Sequence, residues 1–526
     1  MYHFIASFIA IYFGIVYTFV GQGHSFADAL ITSTLMAVSF NSSLLSSIVF
    51  YRVFLHRCRK FPGPFLAGVS KFYAFYQSAK EVRYYKETEA MHAKYGDFVR
   101  VGPRQISIMR KSAVPLIFGP QSNCIKGTFY GNAGNDPTKI SINMIRDEAR
   151  YKLRRRAWDR GLSMKAIGNY EPRITEKVNL LLAQMRRNNG TPMDVTKWSM
   201  MLSFDIMGSV GFSKDFDNLK TGKLHPATHA IHDHLTHIGT IGETPWLLNI
   251  LSSIPGAAAG FASFFNFCAR EMEAKQNNWN SDAQPQDIAS WLIKAVKDKD
   301  ISASPTKESL TDDSRVIIIA GSDTFANVLA CTLFYLAKDK DVQSKVRRLI
   351  DEALPDGPAS WSYDKIRKVT YIDDIVNETL RLKPPVISQP HRQTPARGLQ
   401  IDEQYIPGNV NVTVPPILIM RDERWWKQPF EFIPERFGSR REEMGTDDAP
   451  YMPFGLGVHT CPGNNLAYAN LRISISSIVQ NFDIDFAPGE TGEAFDKDFL
   501  DTPLIKLPPL YLEFKARKPV NTSTQQ

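Results

Sequence analysis

A ten-residue loop around a single cysteine constrains this chain more than any other feature of its sequence. The loop runs from Phe454 to Gly463 and reads Phe-Gly-Leu-Gly-Val-His-Thr-Cys-Pro-Gly. Its glycines allow the backbone to approach a partner closely where a side chain would collide. A helical pattern follows from about Asn465 to Gln480, and the free N–H groups at a helix start favour a nearby thiolate. The loop therefore presents the thiolate of Cys461 to something flat and large.

The donor chemistry of this loop distinguishes between metal centres. Zinc requires four ligands, and no Cys or His lies at ligand spacing from Cys461. A haem iron fits, because the porphyrin already supplies four nitrogens and leaves one axial position for a thiolate. A lone cysteine is otherwise most often a buried, inert thiol. The remaining cysteines are few and widely scattered, as in a reducing compartment, and they are Cys58, Cys124, Cys268 and Cys331.

The loop matches the haem-binding signature of the cytochrome P-450 family, Phe-x-x-Gly-x-His/Arg-x-Cys-x-Gly, at every defining position. This resemblance implies a mainly α fold with small β-sheets, in which Cys461 is the axial ligand of the iron of haem b. It also implies that Phe454, Gly455 and Gly463 help to bind the haem. His459 occupies a propionate-binding position where arginine is more common, which makes the local charge dependent on pH.

The longest helical pattern, from Thr311 to Ala337, carries a second motif. Its Ala-Gly-Ser-Asp-Thr-Phe resembles the family's oxygen-activation motif Ala/Gly-Gly-x-Asp/Glu-Thr-Thr, with Phe325 in place of the last threonine. The resemblance implies that Thr324 hydrogen-bonds dioxygen or its water and that Asp323 helps to relay protons. Close helix packing at Gly321, together with a threonine that bonds back to its own helix, is the structural alternative.

A shorter helical pattern, from Tyr371 to Leu382, places Glu378 and Arg381 on one face. With Pro-Pro following it, this pair resembles the buried Glu-x-x-Arg of the family. The resemblance implies that Arg436, in a Pro-Glu-Arg-Phe motif, completes the pair. The fork of a guanidinium suits a bidentate, desolvated contact. We interpret these three residues as structural.

Basic residues supply the other predicted cofactor contacts. Arg392 stands where the family usually carries an arginine that reaches a haem propionate. The basic run from Asp147 to Ser163 is most simply a solvated helix face, but the family pattern Trp-x-x-x-Arg falls there on Tyr151 and Arg155. Arg155 is therefore a second propionate candidate. The resemblance also implies that an acidic NADPH-cytochrome reductase docks around Lys152–Arg156 and the cysteine loop, because the chain has no flavin or nicotinamide fingerprint of its own.

Two uncharged apolar runs begin the chain, Phe4 to Val20 and Ala29 to Tyr51. Runs of about 18 residues or more read as membrane spans, although a single span or a cleaved signal remains open for the first. Basic residues follow the second run and indicate its cytoplasmic end. We therefore expect an endoplasmic-reticulum protein whose catalytic domain faces the cytosol. The predicted organisation is an anchor at 1–51, a basic and Pro-rich hinge at 52–64, a catalytic domain at 65–516 and a tail at 517–526.

The functional prediction is a haem-thiolate monooxygenase that inserts one oxygen atom of O2 into an apolar small molecule. Segments of the sequence resemble those of fungal members of the family. This resemblance implies that the enzyme modifies a secondary metabolite, such as a terpenoid, a polyketide or an alkaloid. A hydrophobic content of 43% is that of a globular protein, and the net charge of +8 does not indicate nucleic acid. A haem-thiolate isomerase or dehydratase, or a non-enzymatic membrane haem sensor or receptor, is the alternative. Neither alternative needs Asp323 and Thr324.

The substrate pocket is expected to be mostly aliphatic. Its candidate positions lie on the long helix at Ile317 and Ala320, after Pro-Pro at Val386–Ser388, and in the turn Thr502–Leu504. Hydroxyls at Ser388 and Thr502 would offer one or two hydrogen bonds. The sequence therefore predicts a pocket without a fixed charge.

Overall fold

The computed structural model describes residues 2–517, apart from 133–135, 137, 252, 253, 255, 257, 258, 281, 389 and 390. Nearly all of the predicted tail lies outside the described residues. Within them the predicted fold class, mainly α with small β-sheets, is confirmed. The α-helices are α1 Tyr2–Gly21, α2 Phe26–Phe50, α3 Phe65–Val69, α4 Phe72–Glu81, α5 Tyr84–Tyr95, α6 Ala113–Phe118, α7 Glu148–Gly161, α8 Met164–Arg187, α9 Val195–Phe212, α10 Asn218–Thr221, α11 Pro226–Ile241, α12 Pro245–Leu251, α13 Ala259–Asn277, α14 Ile288–Lys297, α15 Lys307–Lys338, α16 Lys340–Ala353, α17 Tyr363–Ile366, α18 Tyr371–Leu382, α19 Pro416–Ile419, α20 Arg441–Met444, α21 Asn464–Asn481 and α22 Glu493–Lys497.

The strands of the described residues form three small sheets. A five-stranded sheet has the order β1-β2-β8-β5-β3, in which β2 and β8 run parallel, and smaller sheets have the orders β4-β10-β9 and β6-β7. The strands are β1 Phe98–Gly102, β2 Gln105–Ile108, β3 Ile125–Lys126, β4 Met193–Asp194, β5 Arg392–Gln393, β6 Leu399–Ile401, β7 Gln404–Ile406, β8 Asn411–Thr413, β9 Phe482–Phe486 and β10 Tyr511–Ala516.

The two N-terminal apolar runs form α1 and α2, which pack on each other through the hydroxyls of Tyr12 and Thr34 at 2.8 Å. Helix α2 continues into a π-helical turn at Tyr51–Leu55. This continuous segment is long and apolar enough to cross a membrane, and α1 is a shorter apolar helix. Most apolar side chains of both helices are exposed. The surface of these helices is therefore suited to lipid.

The segment predicted as a hinge packs against the body of the protein. Cys58 is fully buried, and the N–H of Arg100 in β1 donates to the carbonyl of Pro62 at 2.7 Å. The Arg52 guanidinium donates to the carbonyl of Val69 at 2.6 Å. The catalytic body therefore begins close to the end of α2, because sheet and core contacts hold the residues that the proline-rich sequence marked as a linker.

Helix α15 passes through the core and organises the helices around it. It packs against α9 and α13 along one side and against α18 and α21 along the other. By length and composition it too could cross a membrane, but it is mostly buried in protein. Its second half, from Phe325 to Ala337, is entirely buried. It is therefore the central helix of the fold and not a third span.

The helix predicted over Lys71–Tyr95 is divided into α4 and α5. Val82, between them, has a φ of +54°, a left-handed conformation that is costly for a β-branched residue. Its carbonyl accepts a hydrogen bond from the Asp501 N–H at 2.6 Å. A tertiary contact therefore stabilises a helix break that the local pattern of side chains does not predict.

Candidate haem-thiolate site

The cysteine loop folds back on itself before α21 begins. The Cys461 N–H donates to the carbonyl of Phe454 at 2.8 Å. Gly457 has a φ of +61°, and a Cβ there would lie 2.6 Å from the Gly119 carbonyl group, so only glycine fits. Gly455 also has a left-handed φ, of +68°. The glycines thus shape a tight loop that is packed against the end of α6.

All five cysteines lie in the described part of the chain, and of these only Cys461 is partly exposed. Burial in its surroundings raises the pKa of the Cys461 thiol, while a hydrogen bond from the Gly463 N–H and the charge of Arg155 lower it. The stabilisation of the thiolate expected from the helix start is therefore smaller than the cost of its desolvation. A coordinated metal ion deprotonates a thiol outright, and a bound iron would supply what the protein alone does not.

Helix α15 exposes a small patch midway along its length. Ala320 is exposed and Thr324, one turn later, is partly exposed, whereas Asp323 is buried. The Thr324 hydroxyl donates to the carbonyl of Ala320 at 2.6 Å. Phe325, which departs from the family motif, is buried and lies away from this patch. The departure therefore leaves the exposed face unchanged.

Gly321 has a packing explanation of its own. A Cβ at this position would lie 2.5 Å from the sulfur of Met207 in α9. The hydroxyl of Ser203, also in α9, donates to the carbonyl of Ser322 at 2.6 Å. Close packing between α9 and α15 accounts for the glycine, as the structural alternative stated, and the glycine is no sign of a cofactor by itself.

Glu378, Arg381 and Arg436 meet in the core, and all three side chains are fully buried. Arg381 donates to both oxygens of Glu378 at 2.8 Å, and the Arg436 Nε donates to Glu378 Oε1 at 2.9 Å. Both guanidinium groups also donate to backbone carbonyls of the 420–431 segment, Arg381 to three and Arg436 to two. One carboxylate therefore joins α18 to the segment that leads to the cysteine loop.

Helix α18 also holds the cysteine loop directly. Asn377, the neighbour of Glu378, accepts hydrogen bonds on its side-chain oxygen from Tyr451 at 3.0 Å and Tyr468 at 2.5 Å. The Tyr468 ring lies 5.5 Å from that of Phe454, between centroids. The orientation of the loop is thus set by the buried network beneath it.

Three basic side chains, Lys126, Arg155 and Arg392, gather around a fourth, His459 of the cysteine loop. Lys126 and Arg392 lie directly opposite each other across β3 and β5, and their exposures are only 5% and 4%. Arg155 donates to the carbonyl of Thr460 at 2.7 Å and to the Tyr151 hydroxyl at 3.0 Å. The ring of the fourth, His459, is 4.5 Å from that of Tyr151.

These charges repel one another. Burial and the other cations lower the pKa of Lys126 to about 7 and that of His459 to about 3. His459 is therefore neutral near pH 7, and among the described residues its Nδ1 is buried without a hydrogen bond. In the same part of the chain, Lys126 and Arg392 donate to backbone carbonyls and have no carboxylate partner. Like charges opposite each other in a sheet are destabilising, so the cluster calls for an external anion. The two propionates of a haem have the required charge.

The site therefore contains one group that sequence reasoning missed, Lys126. It follows no motif, and only its pairing with Arg392 across the sheet reveals it. The basic run also differs from a solvated face. Arg154 is buried and pairs with Asp313 of α15, whereas Arg150, Lys152 and Arg156 are exposed.

The predicted pocket hydroxyls are used within the protein. Ser388 donates to the Asp501 carboxylate, and Thr502 donates to the carbonyl of Leu504. Both hydroxyls keep lone pairs for the one or two hydrogen bonds expected of them. The expectation of no fixed charge did not include the Asp501 carboxylate, which lies between the two segments.

A helical body with one cysteine in a glycine loop, joined to a Glu–Arg–Arg network, has the architecture of haem-thiolate proteins. The family model described as "Cytochrome P450" matches residues 64–514, and the chain belongs to the cytochrome P450 family. It is 36% identical to the cytochrome P450 monooxygenase orf5 of Eupenicillium brefeldianum, over 90% of this chain and 94% of that protein.

Other relatives agree with this assignment. The cytochrome P450 monooxygenase FCK2 of Fusarium pseudograminearum is 32% identical, over 94% of this chain and 89% of that protein. Tryprostatin B 6-hydroxylase of Aspergillus fumigatus is 29% identical, over 89% of this chain and 83% of that protein. The crystal structure of the cytochrome P450DA heme domain superposes with a TM-score of 0.72 at 19% identity, covering 87% of this chain and 98% of that chain. The chain is thus an oxidoreductase of the P450 monooxygenase class.

Proposed function

We propose that this chain binds haem b through Cys461 and inserts one oxygen atom of O2 into an apolar small molecule of secondary metabolism. Terpenoids, polyketides and alkaloids are the candidate classes. The family match and the fungal monooxygenase relatives support the reaction class. When bound, the haem supplies the oxygen-activating chemistry, which an axial thiolate favours by pushing electron density toward the iron.

The observation that carries this proposal is the buried cation cluster beside the cysteine loop. Lys126 and Arg392 have no anionic partner among the described residues, and Arg155 connects the cluster to the carbonyl next to Cys461. A buried charge without a partner is costly, and two propionates would compensate for it. In this proposal the cluster would hold the propionates and the Cys461 thiolate would hold the iron.

The exposed patch of α15 supplies the oxygen-handling groups in this proposal. Because the Thr324 hydroxyl donates to Ala320, its oxygen keeps lone pairs with which to accept a further hydrogen bond. Asp323, the next residue toward the N-terminus, is assigned to proton delivery. In this mechanism the Thr324 hydroxyl positions the hydrogen bond through which the proton is delivered, and the surrounding apolar side chains exclude water from the site.

Electrons come from a separate NADPH-cytochrome reductase in this proposal. Lys152 and Arg156, four residues apart and both exposed on α7, form a helix face suited to an acidic partner, and the exposed Arg150 lies on another side of the helix. Arg154 is excluded from that face because it is buried against Asp313. Association through such a face weakens as salt increases.

We further propose that α1 and α2 anchor the protein in the membrane of the endoplasmic reticulum. The catalytic domain, residues 65–516, would then face the cytosol. Exposed Arg57, Arg59 and Lys60 follow the anchor and support this orientation. Large apolar side chains remain exposed just beyond it, including Phe65 and Phe72. They provide a second surface that lipid can cover.

The test compares two threonines of α15. Both Thr324 and Thr332 donate to the carbonyl four residues earlier, at 2.6 and 2.8 Å, but Thr332 is fully buried. With the full chain, a reductase, NADPH and 18O2, we expect Thr324→Ala to lower formation of singly 18O-labelled products by at least about tenfold, the scale of lost proton-transfer catalysis. Thr332→Ala should retain activity. Equal activities of wild type and Thr324→Ala would contradict the assigned role.

A further inference from the structure

A carboxylate lies where the sequence predicts an uncharged pocket. Asp501 belongs to the hairpin between Leu500 and Lys506, whose ends pair through a 2.9 Å backbone hydrogen bond. The Asp501 carboxylate accepts hydrogen bonds from the Ser388 hydroxyl and, at 3.0 Å, from the Tyr85 N–H. It thus joins the segment after Pro-Pro, the hairpin and α5.

This hairpin reaches the oxygen-handling part of α15. The side chain of Asn327 donates to the carbonyl of Ile505 at 2.8 Å, and the Ile505 N–H donates to the carbonyl of Pro385 at 2.7 Å. Asn327 lies three residues after Thr324, which is about 4.5 Å along a helix axis. The hairpin therefore contacts α15 within one turn of Thr324.

Glu243 adds a second carboxylate to this region, and Tyr84 adds a neutral hydroxyl. Glu243 follows α11, four residues after Gly239, and its charge helps burial to raise the pKa of Asp501 and of Tyr84. The Tyr84 side chain is 8% exposed, and within the described part of the chain its hydroxyl has no hydrogen-bond partner. Helix α11 packs directly against the hairpin, since a Cβ on Gly239 would lie 3.0 Å from the Asp501 carbonyl oxygen.

The cations nearby do not neutralise Asp501. Lys71 lies 3.9 Å from Glu243, a loose pair, and Arg83 pairs with Asp498 at 3.0 Å. His391 is buried and its pKa is lowered by desolvation, so it is neutral near pH 7. No ion pair to Asp501 is present among the described residues. A partly exposed carboxylate without a cation, and a buried Tyr84 hydroxyl whose oxygen can still accept a hydrogen bond among the described residues, leave this region suited to a positively charged ligand group.

We propose that Asp501, with Glu243 and Tyr84, binds the cationic amine of an otherwise apolar substrate. This proposal rests on the proposed monooxygenase function and narrows its substrate class to basic, alkaloid-like molecules. The carboxylate supplies the counter-charge, and the Tyr84 ring adds a face suited to an ammonium group. With the amine held by the hairpin, the apolar body of the substrate would extend along α15 toward Thr324.

The pH dependence has a defined sign. Burial, and then the charge of Glu243, raise the pKa of Asp501 to about 7. A cation binds the ionised carboxylate, so binding expels the proton where Asp501 is protonated. The affinity for a permanent cation should therefore rise between pH 6 and pH 8, and this rise should be absent in Asp501→Asn.

The experiment uses two matched probes with the haem-loaded full chain. One is 4-phenylbutyl-trimethylammonium, whose quaternary nitrogen has no lone pair for iron, and the other is the hydrocarbon in which carbon replaces nitrogen. We expect equilibrium dialysis at pH 8 to show the cation bound at least about tenfold more tightly, equivalent to about 1.4 kcal/mol. Asp501→Asn should reduce this preference to about twofold or less.

The control is Asp498→Asn, which removes a half-exposed carboxylate close by in sequence and should keep the preference. If Asp501→Asn does not fold, Glu243→Gln should still lower the preference severalfold, and an unchanged preference there would count against the site. Equal affinity of wild type for both probes overturns the proposal. The carbon monoxide spectrum of the same sample separates the failures, because a normal thiolate band without cation preference leaves the monooxygenase function intact.

Discussion

At the scale of single residues, Lys126 occupies an unfavourable position that a ligand can explain. Its ammonium group is buried, donates to the carbonyls of Ile142 and Asn143 and to no other group of the described residues, and stands opposite Arg392 across two strands. Burial and the nearby arginines lower its pKa to about 7. Such a residue destabilises the protein alone and stabilises a complex with an anion, so it is a sensitive probe of the propionate assignment.

We expect Lys126→Met to accelerate haem loss by at least about tenfold, since a charge-assisted contact of about 1.5 kcal/mol or more disappears. The same change should leave the free energy of unfolding of the haem-free protein unchanged or higher, because it removes a desolvated cation. Haem transfer to excess apomyoglobin and urea unfolding measure the two effects. Lys111→Met is the control, because Lys111 pairs with a highly exposed Asp448. Unaltered haem transfer in Lys126→Met would remove this lysine from the cofactor site.

At the scale of elements, the fully buried carboxylate of Glu378 ties α18 to the 420–437 region through two arginines. Glu378→Gln leaves two buried guanidinium groups without their counter-charge, so we expect a loss of about 3–5 kcal/mol in unfolding free energy. Glu443→Gln breaks an exposed pair with Arg440 of similar length and should cost no more than about 1 kcal/mol. Urea unfolding compares them, and similar losses in both variants would show that the buried network is not structural.

The same elements show which features of the fold can be predicted from the sequence. The cores of α15, α18 and α21 follow from periodicity, and β1 and β2 follow from alternating apolar residues around a turn. The break at Val82 and the role of Lys126 do not, because the first depends on a contact from Asp501 and the second on a strand partner 266 positions away. The burial of Glu378 could be predicted only from the family motif, since an isolated Glu-x-x-Arg is usually an exposed pair. Long-range contacts, and not local propensity, decide these positions.

At the scale of the whole molecule, contacts of Arg52 and Cys58 with the globular body place the end of the two apolar helices near residue 51. Removal of residues 1–50 should leave a folded, haem-binding protein, because Arg52 and Cys58 remain to make their contacts. Alkaline carbonate should then release it from membranes, whereas the full chain should resist extraction. Removal of 1–64 should instead lower the thermal midpoint, since it deletes the buried Cys58 and Phe61. Carbonate resistance of the first truncation would contradict an anchor formed by α1 and α2.

The central claim is thiolate ligation by Cys461, and the difference spectrum of the reduced protein with carbon monoxide tests it most directly. Wild type and Cys124→Ser, which changes a buried cysteine elsewhere, should both give a Soret band strongly red-shifted from that of a histidine-ligated haem. Cys461→Ser should lose that band. A folded, haem-loaded wild type without the red-shifted band, or a Cys461→Ser variant that keeps it, would contradict the assigned ligand and the proposed oxygen chemistry.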